Sequence, residues 1–281
     1  MQRKGGKMIL SDELFEKFVL LIYRKTGLHY EYNKKYFVQK RIENRAQLVG
    51  ADTLNAYYIM LKFSEDTSEF YKLINDLTIN ETYFFRDFPQ LRNFAEDVLP
   101  IFSEKRQDRK TIKIWCAACS TGEEPYTLSI ILQEMLENPE EWDIQILASD
   151  INSDVLKSAK TGLYDDRSVK DVPPEYLKKY FTKYHNQHMI NRSIRKSVSF
   201  RQINLMDEEQ VSNVTGCDFI FCRNCLIYFD DESRKDVVTR FYNALNPGGF
   251  IFLGHSESIG RISSSYDVQR IGDTMVYSKP K

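Results

Sequence analysis

Apolar positions in the first third of the chain recur at helical spacing. Leu14, Phe18, Leu21 and Ile22 form one stripe, with Ser11 placed to cap the helix and Gly27 to end it. A second helix is predicted over 34–49, with Val38, Ile42, Ala46 and Val49 inward and Gly50 as its stop. Further helices are predicted over 54–63, 68–77 and 88–102, the last turning Leu91, Phe94, Ala95, Val98 and Leu99 to the core. The charged stretch 103–110 reads as a linker. From Thr111 short β-rich runs at 111–118, 144–150, 217–222 and 250–254 alternate with helical patterns at 124–136, 153–160 and 232–245. That alternation means βαβ units and a parallel sheet. The end of the chain differs: 266–271 and 274–278 around Gly272-Asp273 read as an antiparallel hairpin. The rhythm also breaks over 171–201, where 185–191 and 197–202 look like short antiparallel strands of a small insertion. The expected organisation is a helical domain over 8–90, a linker helix and linker over 91–110, and an α/β domain over 111–281 that carries the insertion.

Composition narrows the class. Of 281 residues, 42% are hydrophobic and 28% charged, which excludes a disordered chain. Thirty-nine basic and 40 acidic side chains give a net charge of −1, so no overall field points to nucleic acid or an acidic membrane. The longest apolar run, 18–23, is far shorter than a membrane span of ~20 residues. Arg3, Lys4 and Lys7 precede only three apolar residues, 8–10, so a secretion signal is not expected and the expected location is the cytoplasm. The five cysteines include two C-x-x-C pairs, Cys116/Cys119 and Cys222/Cys225. The pairs are 102 residues apart, far beyond a zinc-ribbon spacing, and no metal is expected.

Chemistry in an open α/β sheet belongs at the carboxyl ends of the strands. Strand 111–118 is followed by Ser120-Thr-Gly-Glu-Glu-Pro125. Gly122 allows close backbone approach to a ligand, and Glu123 and Glu124 would repel a pyrophosphate but welcome an amine. The competing reading is a tight turn whose acids favour the helix dipole. The second strand ends in Asp150, placed either to accept from ribose hydroxyls or, with Asn152, to cap the next helix. The run Phe221-Cys-Arg-Asn-Cys-Leu-Ile-Tyr228 puts polar side chains at the switch point; the alternative is a capping loop with Tyr228 packed on the core. Asn80-Glu-Thr-Tyr-Phe-Phe-Arg86 mixes polar and aromatic residues without helical period. It suits a lid that packs on one side and meets a ligand on the other, or else an interdomain packing loop. The missing G-x-G-x-x-G counts against a nicotinamide-dependent oxidoreductase.

These segments, in this order, resemble the CheR family of chemotaxis receptor methyltransferases: NETYFFR at 80–86, WCAACSTGEEPY at 115–126, ASDI at 148–151, FCRNCLIYFD at 221–230 and LGHSE at 253–257. The resemblance covers most of the chain. It implies a class I methyltransferase fold, with a Rossmann-like mixed seven-stranded sheet, an N-terminal all-helical domain and a small antiparallel β insertion. It also implies S-adenosylmethionine as cofactor, S-adenosylhomocysteine as product, and methyl transfer to glutamate side chains in the cytoplasmic helical region of chemoreceptors. By that match Asn80, Thr82 and Arg86 reach the cofactor from the helical side. Gly122, Glu123, Asp150, Asn204, Leu205, Asn224 and Cys225 line it from the sheet side, and Arg86 and Tyr228 lie nearest the reacting groups. His255-Ser256-Glu257 reads as wall or loop structure, since consecutive residues cannot converge as a triad.

Seven basic and two acidic residues lie between Arg24 and Arg45. Arg41 and Arg45 share a helix face away from the apolar stripe. That face alone reads as solvated. Because the family reads acidic receptor helices with such a helix, Lys40, Arg41 and Arg45 are expected to dock the substrate. The insertion matches the family's β-subdomain, which in some members docks a receptor tail peptide. The loop 185–192 is short and lacks Gly, which speaks against that docking here.

Overall fold

The computed structural model describes residues 10–260, 262–272 and 274–281. Arg3, Lys4, Lys7 and Met8, the start of the helical domain at 8–9 and the turn residue Asp273 lie outside them. The N-terminal domain contains α1 (Asp12–Thr26), α2 (Lys35–Leu48), α3 (Leu54–Phe63) and α4 (Ser68–Leu77). Ser11 caps α1 by accepting from the Leu14 N–H at 3.2 Å, and Gly27 ends it in the left-handed region at φ 71°. Phe15, Phe18, Ile22, Val38, Ile42, Tyr57, Leu73 and Ile74 build this domain's core. The α1 stripe is rotated from the expected one: Phe15 is buried, whereas Leu14 and Leu21 are half-buried.

The predicted helix 88–102 is α5 (Phe88–Asn93), a π turn (Phe94–Val98) and α6 (Leu99–Glu104). All five of its expected inward residues are buried. Phe94, in the π turn, meets Phe219, Phe221 and Phe252 edge-on with ring centroids 5.1, 5.3 and 5.6 Å away. This aromatic cluster seats the linker helix on the sheet.

The remaining chain runs β1 (Thr111–Ala117), α7 (Glu123–Met135), β2 (Asp143–Asp150), α8 (Ser153–Thr161), β3 (Leu163–Tyr164), α9 (Pro174–Tyr180), β4 (Phe181–Tyr184), β5 (Gln187–Ile190), α10 (Arg192–Lys196), β6 (Val198–Gln202), α11 (Glu208–Ser212), β7 (Cys217–Cys222), α12 (Asp231–Ala244), β8 (Leu245–Leu253), β9 (Asp267–Ile271) and β10 (Thr274–Ser278). The main sheet has the order β6-β2-β1-β7-β8-β10-β9. Its first five strands are parallel, and β10 pairs antiparallel with both β8 and β9. All six residues of β7 are buried, so both faces are covered; its one polar residue, Asp218, accepts from the Lys113 N–H at 3.0 Å.

Of the insertion's three strands only β5 matches an expected one, and the other expected strand lies outside it. Residues 198–202 pair in parallel with β2 as the edge of the main sheet and do not belong to the insertion. Only one end of this edge strand is buried, so its sequence lacks the continuous apolar run of a central parallel strand. The antiparallel subdomain is instead β3-β5-β4, and it begins earlier, at Leu163. Its hairpin turns at His185-Asn186, with His185 at φ 51°.

The two domains meet through specific contacts. The Leu28 backbone bridges Phe229, and the His29 N–H donates to the Tyr228 carbonyl at 2.9 Å. Tyr23 donates to Asp230 at 2.9 Å, and Asn204 to the Lys25 carbonyl at 2.6 Å. On the other side Asn152 donates to the Thr78 hydroxyl at 2.8 Å.

Candidate active site

A cavity of about 700 Å³ opens at the carboxyl ends of β1, β2 and β7, beneath the helical domain. That size suits a ligand of nucleoside dimensions. The loop after β1 is folded by left-handed backbone at Ala118, Ser120 and Gly122 (φ 61°, 50° and 95°). This presents the Ser120 N–H to Asp150, which accepts it at 2.9 Å through one carboxylate oxygen and the Asn152 N–H at 2.9 Å through the other. Each oxygen keeps acceptor capacity for a ligand. Burial pushes the Asp150 carboxyl above its usual range, opposed by the backbone N–H groups that it accepts from. The cap of α8 is Asn152, whose side chain accepts from the Asp154 and Val155 N–H groups, so Asp150 is free of that role.

Asn80, Thr82 and Arg86 line the cavity from the helical side, and Asp150, Asn204, Leu205, Asn224, Cys225 and Tyr228 line it from the sheet side. Arg86 donates to the Glu81 carbonyl at 2.7 Å. Burial raises the Tyr228 phenol, and the nearby Arg86 charge acts in the opposite direction.

Two expected residues fall elsewhere. Gly122 faces α8 rather than the cavity; a side chain there would come within 2.9 Å of the Ala159 Cβ and 3.2 Å of the Tyr164 hydroxyl. Glu123 is buried behind the loop, where it accepts from the Thr121 hydroxyl at 2.6 Å. The neighbouring Glu124 lines the cavity. One residue of helix turns a side chain by about 100°, so adjacent acids at a helix start cannot share a direction. Burial raises the Glu124 carboxyl, and Arg223 opposes this. Arg223 also lines the cavity and donates to Glu124 at 3.1 Å and to the Arg86 carbonyl at 2.6 Å. Both glutamates, and the polar run that holds Arg223, stand out in the sequence, but the resemblance assigned the cofactor to Glu123 and left out Glu124 and Arg223, which line the cavity as a buried acid–base pair. It also missed the outer wall, where His29, Tyr30 and Lys34 of the helical domain reach the same cavity.

On α2, two of the three expected docking residues are engaged within the helical domain. Arg45 makes a two-pronged bond to Glu69 of α4, at 3.0 and 2.6 Å, and Tyr57 donates to the same carboxylate at 3.0 Å. Arg41 lies flat on Phe37, 3.4 Å from the ring centroid, and donates to the Asp76 carbonyl at 3.0 Å. Both side chains are held within the domain, Arg45 most firmly. Lys34 and Lys40 are exposed.

The residues present fit S-adenosylmethionine: carboxylates for an ammonium and ribose hydroxyls, amides at Asn204 and Asn224, a guanidinium at Arg86, and apolar walls from Ile151, Ile203 and Leu205. A seven-stranded sheet with an antiparallel penultimate strand, carrying this site at its switch point, defines a class I S-adenosylmethionine-dependent methyltransferase. Residues 13–78 match the family described as CheR methyltransferase, all-alpha domain, and residues 80–273 match CheR methyltransferase, SAM binding domain. The chain belongs to the CheR family of methyltransferases. It is 42% identical to chemotaxis protein methyltransferase 2 of Vibrio cholerae, over 98% of this chain and 96% of that protein. It is 33% identical to the chemotaxis protein methyltransferase of Salmonella typhimurium, over 94% and 90%. The Escherichia coli chemotaxis protein methyltransferase is 31% identical, over 94% and 90%. No helix among the described residues is long and apolar enough to cross a membrane.

Proposed function

We propose that this enzyme methylates glutamate side chains in the cytoplasmic helical region of chemoreceptors, forming methyl esters, and that it works in the cytoplasm. The observation that carries the reading is the shared cavity. Cofactor-type acceptors, Asp150 and Glu124, line the same space as Arg86 and Tyr228, and that space is walled on its outer side by the helical domain. A glutamate carboxylate has an ordinary pKa of about 4.3 and is ionised at neutral pH, so no general base is needed. S-adenosylmethionine, when bound, supplies an electrophilic methyl group on sulfur. The chain's residues then have three tasks. Asp150 and Glu124 accept from the ribose and ammonium groups, with Asn204 and Asn224 completing the fit. Arg86 orients the incoming carboxylate through paired N–H donors, and Tyr228 offers a hydroxyl beside it. The wall formed by His29, Tyr30 and Lys34 narrows the mouth and restricts water, which favours a fixed line of attack.

Substrate docking falls to the exposed basic side chains Lys34 and Lys40, with Arg41 beside them. Arg45 supports the helix from behind. Binding of a receptor tail peptide is not part of this reading. The test is incubation with labelled S-adenosylmethionine and receptor cytoplasmic fragments. Base-labile label on receptor glutamates is expected; label that withstands base would require a different acceptor.

A further inference from the structure

The LGHSE segment, 253–257, follows β8 and contributes no residue to the cavity lining. His255 and Ser256 point to solvent, as an ordinary surface turn would have them. Glu257 does not. One of its carboxylate oxygens accepts from the Gly254 N–H at 2.7 Å and from the Asn224 N–H at 2.8 Å. The other accepts from the Ile227 N–H at 3.3 Å. A single carboxylate therefore ties the end of β8 to both ends of the segment that holds Asn224, Cys225 and Tyr228. The Glu257 N–H donates back to the Gly254 carbonyl at 2.9 Å, which closes the turn.

Two backbone features depend on this junction. Asn224 sits in the left-handed region at φ 57°, which Asn tolerates better than most residues, and this conformation turns its N–H onto the Glu257 carboxylate. Gly254 leaves no room for a side chain: a Cβ there would lie 2.6 Å from the Glu257 carboxylate and 2.8 Å from the Asn224 nitrogen. Hydrogen bonds to an ionised acceptor are roughly twice as strong as neutral ones, so the carboxylate is the natural anchor.

We infer that Glu257 is a positioning residue: its carboxylate holds Asn224 and the Tyr228 turn in place as one wall of the cofactor and substrate cavity. This rests on the proposed reading that the cavity takes S-adenosylmethionine. The substitution Glu257→Gln keeps the size of the side chain but turns an amide N–H₂ toward donors, and Glu257→Asp keeps the charge but shortens the reach. Four measurements are made on the full-length variants: hydrogen exchange of peptides covering 222–230 without ligand, calorimetric binding of S-adenosylhomocysteine, kcat and receptor KM, and Tm.

The expected result for Glu257→Gln is faster exchange confined to that segment and weaker S-adenosylhomocysteine binding. Receptor KM should stay unchanged while kcat falls about 10–100-fold, the size of a loss from small misplacement. Glu257→Asp should recover part of the loss. Wild-type exchange and wild-type binding in Glu257→Gln would overturn the inference, as would a general loss of exchange protection with a collapse in Tm in both variants. Gly254→Ala gives an independent arm, because its methyl group displaces the same carboxylate. It should reproduce the local exchange change, and combined with Glu257→Gln it should add little; full additivity would overturn the shared junction. If the wild-type protein fails to bind S-adenosylhomocysteine, the functional reading fails, while the exchange experiment still decides whether Glu257 anchors the loop.

Discussion

Arg223 donates to Glu124 at 3.1 Å across the floor of the cavity, joining the loop after β7 to the start of α7. Through its second terminal nitrogen it also holds the Arg86 carbonyl, at 2.6 Å. The guanidinium is almost fully buried, with 4% of its side chain exposed. Three segments that line the cavity thus share one cation. Glu124→Gln should leave that cation short of a counter-charge, lower Tm and weaken S-adenosylhomocysteine binding, checked by thermal melts and calorimetry. Unchanged melting would mean that Asp87, 3.5 Å from Arg223, suffices as its partner.

Glu123→Gln should behave in the opposite way. Burial raises the Glu123 carboxyl above its ordinary value. A group raised in the folded state contributes stability that is fully present below the unfolded pKa and is lost as pH rises through the folded one. Replacing it removes the cost of burying an ionised carboxylate at neutral pH. Tm of Glu123→Gln should exceed wild type at pH 7–8, with the gain shrinking toward pH 4, and S-adenosylhomocysteine affinity should stay the same.

Asp150→Ala should weaken S-adenosylhomocysteine binding by about 1.5–3 kcal/mol, the range for hydrogen bonds with a charged partner. Two backbone N–H groups lose their acceptor as well, so calorimetry is best paired with a melt at saturating ligand. An unaltered dissociation constant would remove Asp150 from the cofactor wall.

Arg86→Ala should lower kcat about 10-fold or more, since a charged hydrogen bond is worth about 1.5–3 kcal/mol. Tyr228→Phe should cost less, about 2–10-fold, because it removes one neutral hydroxyl. Both should fold normally, as both side chains are only partly buried. Wild-type turnover at limiting and saturating receptor would place them outside the reaction.

The basic face of α2 separates into two roles. Lys34→Glu with Lys40→Glu should raise receptor KM and leave Tm unchanged, and wild-type activity should fall as salt screens charges beyond ~8 Å. Arg45→Ala should lower Tm through the stranded Glu69 carboxylate, whose side chain is 14% exposed. A KM effect from Arg45→Ala without loss of stability would return it to the docking surface.

Much of the architecture was legible locally. The period of the apolar residues and the caps at Ser11 and Gly27 suffice for α1, because cap and stop act within one turn. The bounds of α3 and α4 also match the expected ones; Thr53 caps α3 by accepting from the Ala56 N–H at 3.0 Å, while α4 is fixed by its apolar period. The position of Asp150 and Tyr228 at strand ends marked them only as candidates, and the structure puts both on the cavity wall. Gly27 has a second use that its neighbours do not reveal: a side chain there would strike Met206 and Phe229 at 2.8 Å, where the two domains meet.

What the sequence by itself determined is therefore the long helices, the central strands, their order, and the loops that carry polar residues, since these follow from short-range periodicity and backbone preference. The short elements β3, β4, α9, α10 and α11 carry too few residues to show a period. Tertiary structure alone decided which of two adjacent glutamates enters the cavity, that 198–202 joins the main sheet, that Arg45 faces Glu69, and that Glu257 gathers three backbone N–H groups. Each of these depends on a partner distant along the chain. A residue type and its spacing state what a side chain is able to bond, but packing selects the bond that it makes.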